Sequence, residues 1–456
     1  MIKGAIGIVG LGVVMWAVGC GTHSGIGTLG MGGEMGLGGQ VVGMGGQVEG
    51  TGGTAMGGQM EGTGGTGMGG QVEGTGGTGM GGAIPGIGGQ RASCPPVPSA
   101  IGTAKTLTFA APTDYSTGAG AFEVTTGDLN GDGKLDLLLL DQTAGIRIMF
   151  NKGDGTFNGP ADLGYPGGGR VVVGDIDGNG QTDIVQLTSS GVSVILNKGN
   201  AAFAPAVNYV VGYQSVALVL GDLNGDGKLD VAVADQGGIN SGADVGILMN
   251  TGGGTFVAGN YPVANIPNAI AIGDLDNDCI PDLALAGPAG VSVLVNRGDG
   301  SFSSATNFAY GTSGTSIAIG DLNGDGQLDI VEGMDGVANV LINHGYASFN
   351  APIVYTATCT PTTSNGVPGQ PLVLADLNGD GRPDLLNLES YCGGLTVLPN
   401  HGDGSFPASL NFPTAPPTPA WIATGDLNGD GRPDVAVVSH DYSVGSELRV
   451  LINASH

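Results

Sequence analysis

Seven stretches of nine residues, each opening and closing on Asp, recur along most of this chain and restrict what it can fold into. The first reads Asp128-Leu-Asn-Gly-Asp-Gly-Lys-Leu-Asp136, and the others occupy 175–183, 222–230, 274–282, 321–329, 376–384 and 426–434. Oxygen-bearing side chains stand at positions 1, 3, 5 and 9, with Gly usually at 4 and 6. A loop folded around a hard cation such as Ca²⁺ needs this pattern, because six to eight oxygens must converge from a short length of chain. The opening Asps are 47, 47, 52, 47, 55 and 50 residues apart. A period near this length, filled with short apolar segments and no helical pattern, is the signature of propeller blades.

The candidate ligands follow from the spacing, with position 7 lending its backbone carbonyl. The first three loops offer Asp128, Asn130, Asp132, Lys134 and Asp136; Asp175, Asp177, Asn179, Gln181 and Asp183; and Asp222, Asn224, Asp226, Lys228 and Asp230. The fourth offers Asp274, Asp276, Asp278, Ile280 and Asp282, and the fifth Asp321, Asn323, Asp325, Gln327 and Asp329. The last two offer Asp376, Asn378, Asp380, Arg382 and Asp384, then Asp426, Asn428, Asp430, Arg432 and Asp434. An Asn-Gly-Asp-Gly turn alone would not require a second Asp at position 9 in every copy, so up to seven Ca²⁺ sites are expected. The fourth loop has Asn277 and Cys279 where Gly is usual, so its extra charge and its poorer turn oppose each other.

Each unit repeats one grammar. In the third, strands are expected over Ser215–Gly221, Leu229–Ala234, Ala243–Asn250 and Thr255–Val263. Third strands end on Asn, and a Gly-rich turn leads to Phe: Asn151…Phe157, Asn197…Phe203, Asn250…Phe256, Asn296…Phe302, Asn343…Phe349 and Asn400…Phe406. The seventh unit reaches Asn453 and lacks a fourth strand, whereas Thr106–Tyr115 reads like Thr156–Tyr165 but precedes the first acidic loop. A donated N-terminal strand would complete the last blade and remove an exposed edge. The expected fold is all-β: a seven-bladed β-propeller of four-stranded blades, closed by an N-terminal strand.

The acidic loop together with Phe109…Pro112, Phe157…Pro160 and Phe349…Pro352 resembles the FG-GAP/VCBS repeats of integrin α-subunits, many bacterial surface proteins and some fungal lectins. The resemblance covers about residues 104–453 and implies a calcium-binding propeller; the functions found on this fold are diverse, so it implies no activity.

Residues 1–19 have the shape of a lipoprotein-type signal peptide: a basic start at Lys3, an apolar stretch from Ala5 to Val18, then Ala17-Val-Gly-Cys20. Cys20 is the expected lipidation site, although Ala17 departs from the usual Leu, and an ordinary secreted protein is the alternative. Residues 20–103 form a Gly-rich, low-complexity linker in which Gln47-Val-Glu, Gln59-Met-Glu and Gln71-Val-Glu recur every 12 residues. Gly maximises backbone freedom, so a disordered tether is expected. The propeller then spans 104–456. The formal charge of −27 argues against nucleic-acid binding and against attraction to an anionic membrane surface. The expected location is the bacterial cell envelope, with lipid as the sole membrane contact. Cys359 and Cys392 flank the sixth loop and are candidates for a bridge; Cys94 has no evident partner.

In an up-and-down blade the acidic loops and the Gly turns share one face. The opposite face carries irregular segments with Tyr165, Tyr213, Tyr310, Tyr391, Trp421, His440 and Tyr442. Of these, Tyr213, Tyr391, Trp421, His440 and Tyr442 are the candidate ligand contacts, by stacking on sugars or anchoring a protein loop. Packing at the ring ends explains any single one equally well. Arg297-Gly-Asp299 sits at a turn where other units have Lys-Gly-Asp or His-Gly-Asp, so a turn role explains it better than adhesion. Three functions compete: a non-catalytic recognition module for a protein, a lectin-like propeller, and a calcium-dependent polysaccharide lyase or hydrolase. The last has few residues to serve it, since the acids are committed to loops and His440-Asp-Tyr442 is the sole cluster suited to acid–base work.

Overall fold

The structure, a computed structural model, describes residues 106–118, 120–237, 242–310, 313–334, 337–356, 371–389, 394–414, 419–441 and 445–455. The expected signal peptide, the linker, Cys20, Cys94, Cys359, Cys392, Tyr391 and Tyr442 lie outside these residues, as does the side chain of His440.

Seven four-stranded antiparallel sheets account for every strand among the described residues, and none of those residues is helical. The third blade runs Ser215–Gly221, Asp230–Asp235, Asp244–Gly252 and Thr255–Pro262, within two residues of expectation. Each closing Asp of an acidic loop is thus the first residue of a second strand. Inner strands read as unbroken apolar runs because both faces of a blade are covered by its neighbours. Asp136–Asp141 (Asp-Leu-Leu-Leu-Leu-Asp) is buried throughout. Outer strands alternate instead: Val207 and Val210 of Val207–Val210 face solvent while Tyr209 turns inward. First strands of successive blades touch one another in a closed cycle, from Ala121–Gly127 round to Pro419–Gly425 and back.

The recurrent Phe finds its purpose between blades. Tyr209 of the second blade's outer strand meets Phe256 of the third edge-to-face at 5.0 Å. Tyr261–Phe302, Phe308–Phe349 and Tyr355–Phe406 repeat the contact at 5.2, 5.2 and 5.4 Å. Tyr209 and Tyr261 also donate their hydroxyls to the carbonyls of Gly254 and Gly300 in the next blade's turn.

The ring closes as the missing and surplus strands require. Thr113–Gly118 pairs antiparallel with Gly445–Leu451 and completes the seventh blade. Asp114 lies directly opposite Arg449, whose Nε and a terminal nitrogen each donate to its carboxylate at 2.7 Å. Phe109 bridges Asn453 just as Phe157 bridges Asn151, and packs on Phe412 of the sixth blade at 4.8 Å. The donated segment therefore supplies both the strand and the aromatic that the seventh unit lacks.

Candidate metal centres

Each acidic loop is organised by its own carboxylates. In the first, Asp128 Oδ1 accepts the N–H groups of Gly131 and Asp132, and Oδ2 that of Gly133. Gly131 and Gly133 hold φ of +79° and +82°. A Cβ on Gly133 would meet nothing within 4 Å, so backbone angle alone, and not space, demands glycine there. The fourth loop reaches the same shape without it: Asn277 and Cys279 stand at φ 65° and 72°, and Asp274 still accepts the N–H groups of Asp278 and Cys279. Left-handed backbone costs a non-glycine residue roughly 1–2 kcal/mol. Cys279 is disulfide-bonded, a role its sequence context did not signal; the other four cysteines lie outside the described residues.

The closing Asp is fully buried in every loop. Its two oxygens have fixed duties: Asp136 Oδ2 accepts the N–H of Leu129 and Oδ1 that of Asn151, and the other loops repeat this. Burial pushes these carboxyls up, to about 6 for Asp136, Asp183, Asp230 and Asp434 and about 7 for Asp282, Asp329 and Asp384. Acidic neighbours in the same loop push the same way. Backbone N–H groups pull the other way, and in the seventh loop Arg432 also attracts Asp434.

Positions 1, 3 and 9 converge. In the second loop Asp175, Asp177 and Asp183 bring one oxygen each within 4.8 Å of one another, and Asp274, Asp276 and Asp282 do so in the fourth. Ca²⁺ holds oxygens at 2.3–2.6 Å, so ligands across the ion stand up to about 5 Å apart and the groups fit it. The donors are all hard oxygens, which suits Ca²⁺ better than a thiophilic metal. Elsewhere position 3 is Asn, whose amide oxygen accepts the N–H of position 5, as Asn130 does from Asp132. Position 5 does not join these triads. Its side-chain oxygen accepts the N–H of residue 7, as Asp132 does from Lys134, and in three loops it pairs with that residue's cation: Asp132 with Lys134 at 3.5 Å, Asp226 with Lys228 at 2.7 Å, and Asp430 with Arg432.

The Asn that ends each third strand was legible as a phase marker but not as a structural part. Asn250 donates its backbone N–H to Asp230, and its side-chain amide to two carbonyls, Leu229 of its own loop and Ile176 of the preceding blade's loop. The second partner lies 74 residues away, beyond any local pattern.

On the opposite face Tyr213 is 56% exposed, as a ligand contact requires. Trp421 corrects the expectation: it lies inside the first strand of the seventh blade, 6% exposed, with the Arg170 guanidinium 3.8 Å above its ring. The Pro-rich stretch before it reads as a loop, yet the strand begins at Pro419 and draws the indole into the core. Tyr165 gives its hydroxyl to Ala204 O, and burial raises Tyr310, whose hydroxyl turns to Glu332, so both serve packing. His344 and His401 sit at equivalent turns, their N–H groups bonded to Ser348 O and Ser405 O.

Comparison with known proteins bears on the fold and on the repeat. No curated protein sequence matches the chain. Among solved structures it is similar to BBS1N in complex with ARL6DN (15% identity, covering 77% of this chain and 98% of that one, TM-score 0.53). Another similar structure is an Agrocybe aegerita lectin described as recognising non-reducing terminal N-acetylglucosamine (22% identity, 74% and 86% coverage, TM-score 0.49). At such identities the likeness to the first concerns the fold alone. The FG-GAP-like repeat matches at residues 128–186, 175–233, 222–285, 274–332 and 335–437, so the chain belongs to the FG-GAP-like repeat family.

Proposed function

We propose that this chain is a calcium-stabilised, non-catalytic recognition propeller, exported and held at the bacterial cell envelope by lipid on Cys20. One observation carries the metal reading: each loop buries a carboxylate at position 9, and in the second and fourth loops the acids of positions 1 and 3 converge on it. Bound Ca²⁺ would supply positive charge there. The chain's part is to present positions 1, 3 and 9 from a turn that its own backbone N–H groups already hold. In the full-length protein, EGTA is expected to lower the thermal midpoint by well over 10 °C, since ions that bind only the folded state stabilise it by mass action. A midpoint indifferent to EGTA would reject the metal reading.

Recognition of a protein or glycan is assigned to the face away from the loops, where Tyr213 is exposed. A glycan array and a pull-down from envelope extracts, each run with the parent and Tyr213→Ala, separate the two ligand classes. Lipidation is tested by labelling with a fatty acid: the parent is expected to incorporate label and Cys20→Ser to lose it.

A further inference from the structure

We infer that neighbouring calcium loops are coupled through the Asn that ends each third strand, so that ions bind cooperatively around the ring. This rests on the metal reading above and adds a positioning residue to it. Seven such residues make the same three bonds. Asn197 donates its backbone N–H to Asp183 at 2.6 Å, and its side-chain nitrogen to Thr182 O at 3.0 Å and Leu129 O at 2.8 Å. Asn250 reaches Ile176 O, Asn296 reaches Leu223 O and Asn343 reaches Leu275 O, at 2.7, 2.8 and 2.8 Å. Asn400 and Asn453 reach Leu322 O and Leu377 O, and Asn151 closes the cycle on Leu427 O at 2.8 Å.

The bonded carbonyl always belongs to position 2, between ligand positions 1 and 3. The N–H of that residue is fixed in turn by the closing Asp of its own loop, as Ile176 is by Asp183. One Asn therefore holds the closing Asp of its own loop through its backbone and the peptide between two ligands of the preceding loop through its side chain. These side chains are 5% exposed or less, so water does not compete for the bonds. Ordering one loop around an ion fixes its position 2 carbonyl, which fixes the next blade's Asn and with it the next closing Asp. A loop whose neighbour is already ordered then has less disorder to lose on binding, which is positive coupling.

The test titrates the calcium-stripped full-length protein with CaCl₂, reading ion number by native mass spectrometry and affinity by calorimetry. The parent is expected to show a Hill coefficient above one. Asp175→Asn is expected to remove one ion and also to raise the midpoint of the remaining ions by about five-fold or more. Asn197→Ala with Asn250→Ala cuts both links of the second loop and leaves every carboxylate in place. In that background Asp175→Asn is expected to cost its own ion and leave the other midpoints alone. If the alanine pair does not fold in saturating calcium, Asn197→Ala and Asn250→Ala taken singly each cut one link, and Asp175→Asn in either background is expected to move the other midpoints less than it does in the parent. A parent that binds several ions with a Hill coefficient of one, and remaining midpoints that Asp175→Asn does not move, overturn the coupling while leaving the metal reading intact. A parent that binds no calcium overturns both.

Discussion

Asp235 and Asp244 lie directly opposite one another on the second and third strands of the third blade. Asp235 is fully buried; Ser215 donates to its Oδ1, and the Gly246 N–H also faces its carboxyl. Gly212 and Gly246 leave room for the carboxyl where a Cβ would collide with it. Burial first, and Asp244 second, push Asp235 up to about 7, against the hydrogen bond from Ser215. Among the described residues, Ser215 and Asn260 bond the pair, and neither ionises in this range. An unfolded Asp titrates near 3.9, so the folded protein holds the extra proton between about pH 4 and 7 and loses stability as pH climbs through that window. With the loops saturated by calcium, Asp235→Asn is expected to raise the thermal midpoint at pH 8 by about 2 °C or more and to change little at pH 5. A melt at each pH decides it. Nothing in the sequence announces this pair, nor Glu123, raised to about 7 by burial despite Arg170. Each occurs once, and repetition was the signal that made the acidic loops readable. The loops' ligand positions were legible because chemistry fixes them locally, whereas the reach of Asn250 into another blade depends on assembly.

At the level of elements, the outer strand and the Gly turn act as a pair across each blade boundary. Phe302 is 4% exposed and meets Tyr261 edge-to-face, and the Tyr261 hydroxyl bonds Gly300 O at 3.0 Å. Phe302→Ala is expected to destabilise by about 3 kcal/mol through lost burial and a cavity. Tyr261→Phe, which keeps the ring, is expected to cost about 1 kcal/mol. Denaturant unfolding of both single variants and the double variant would show coupling between them, because they share one contact. Strand boundaries were readable to within two residues in the third blade, since Asp at position 9 begins each second strand. Trp421 was misplaced for the complementary reason: proline-rich sequence marks a loop without marking where the next strand begins.

On the scale of the whole molecule, the closing strand decides whether there is a ring at all. Deleting residues 104–118 would leave Gly445–Leu451 as an unpaired edge and strip Phe412 of Phe109. The shortened protein is expected to melt lower and to associate as concentration rises, a change that light scattering detects. The pairing of Thr113–Gly118 with Gly445–Leu451 also sets a timetable. Thr108 and Ser455, hydrogen-bonded in the finished molecule, are 347 residues apart along the chain. At roughly 5–20 residues per second a ribosome needs on the order of tens of seconds to make that span. The segment laid down first must therefore wait, exposed, for the last one to be synthesised, and a nascent chain that meets a copy of itself in that interval can pair with the wrong end.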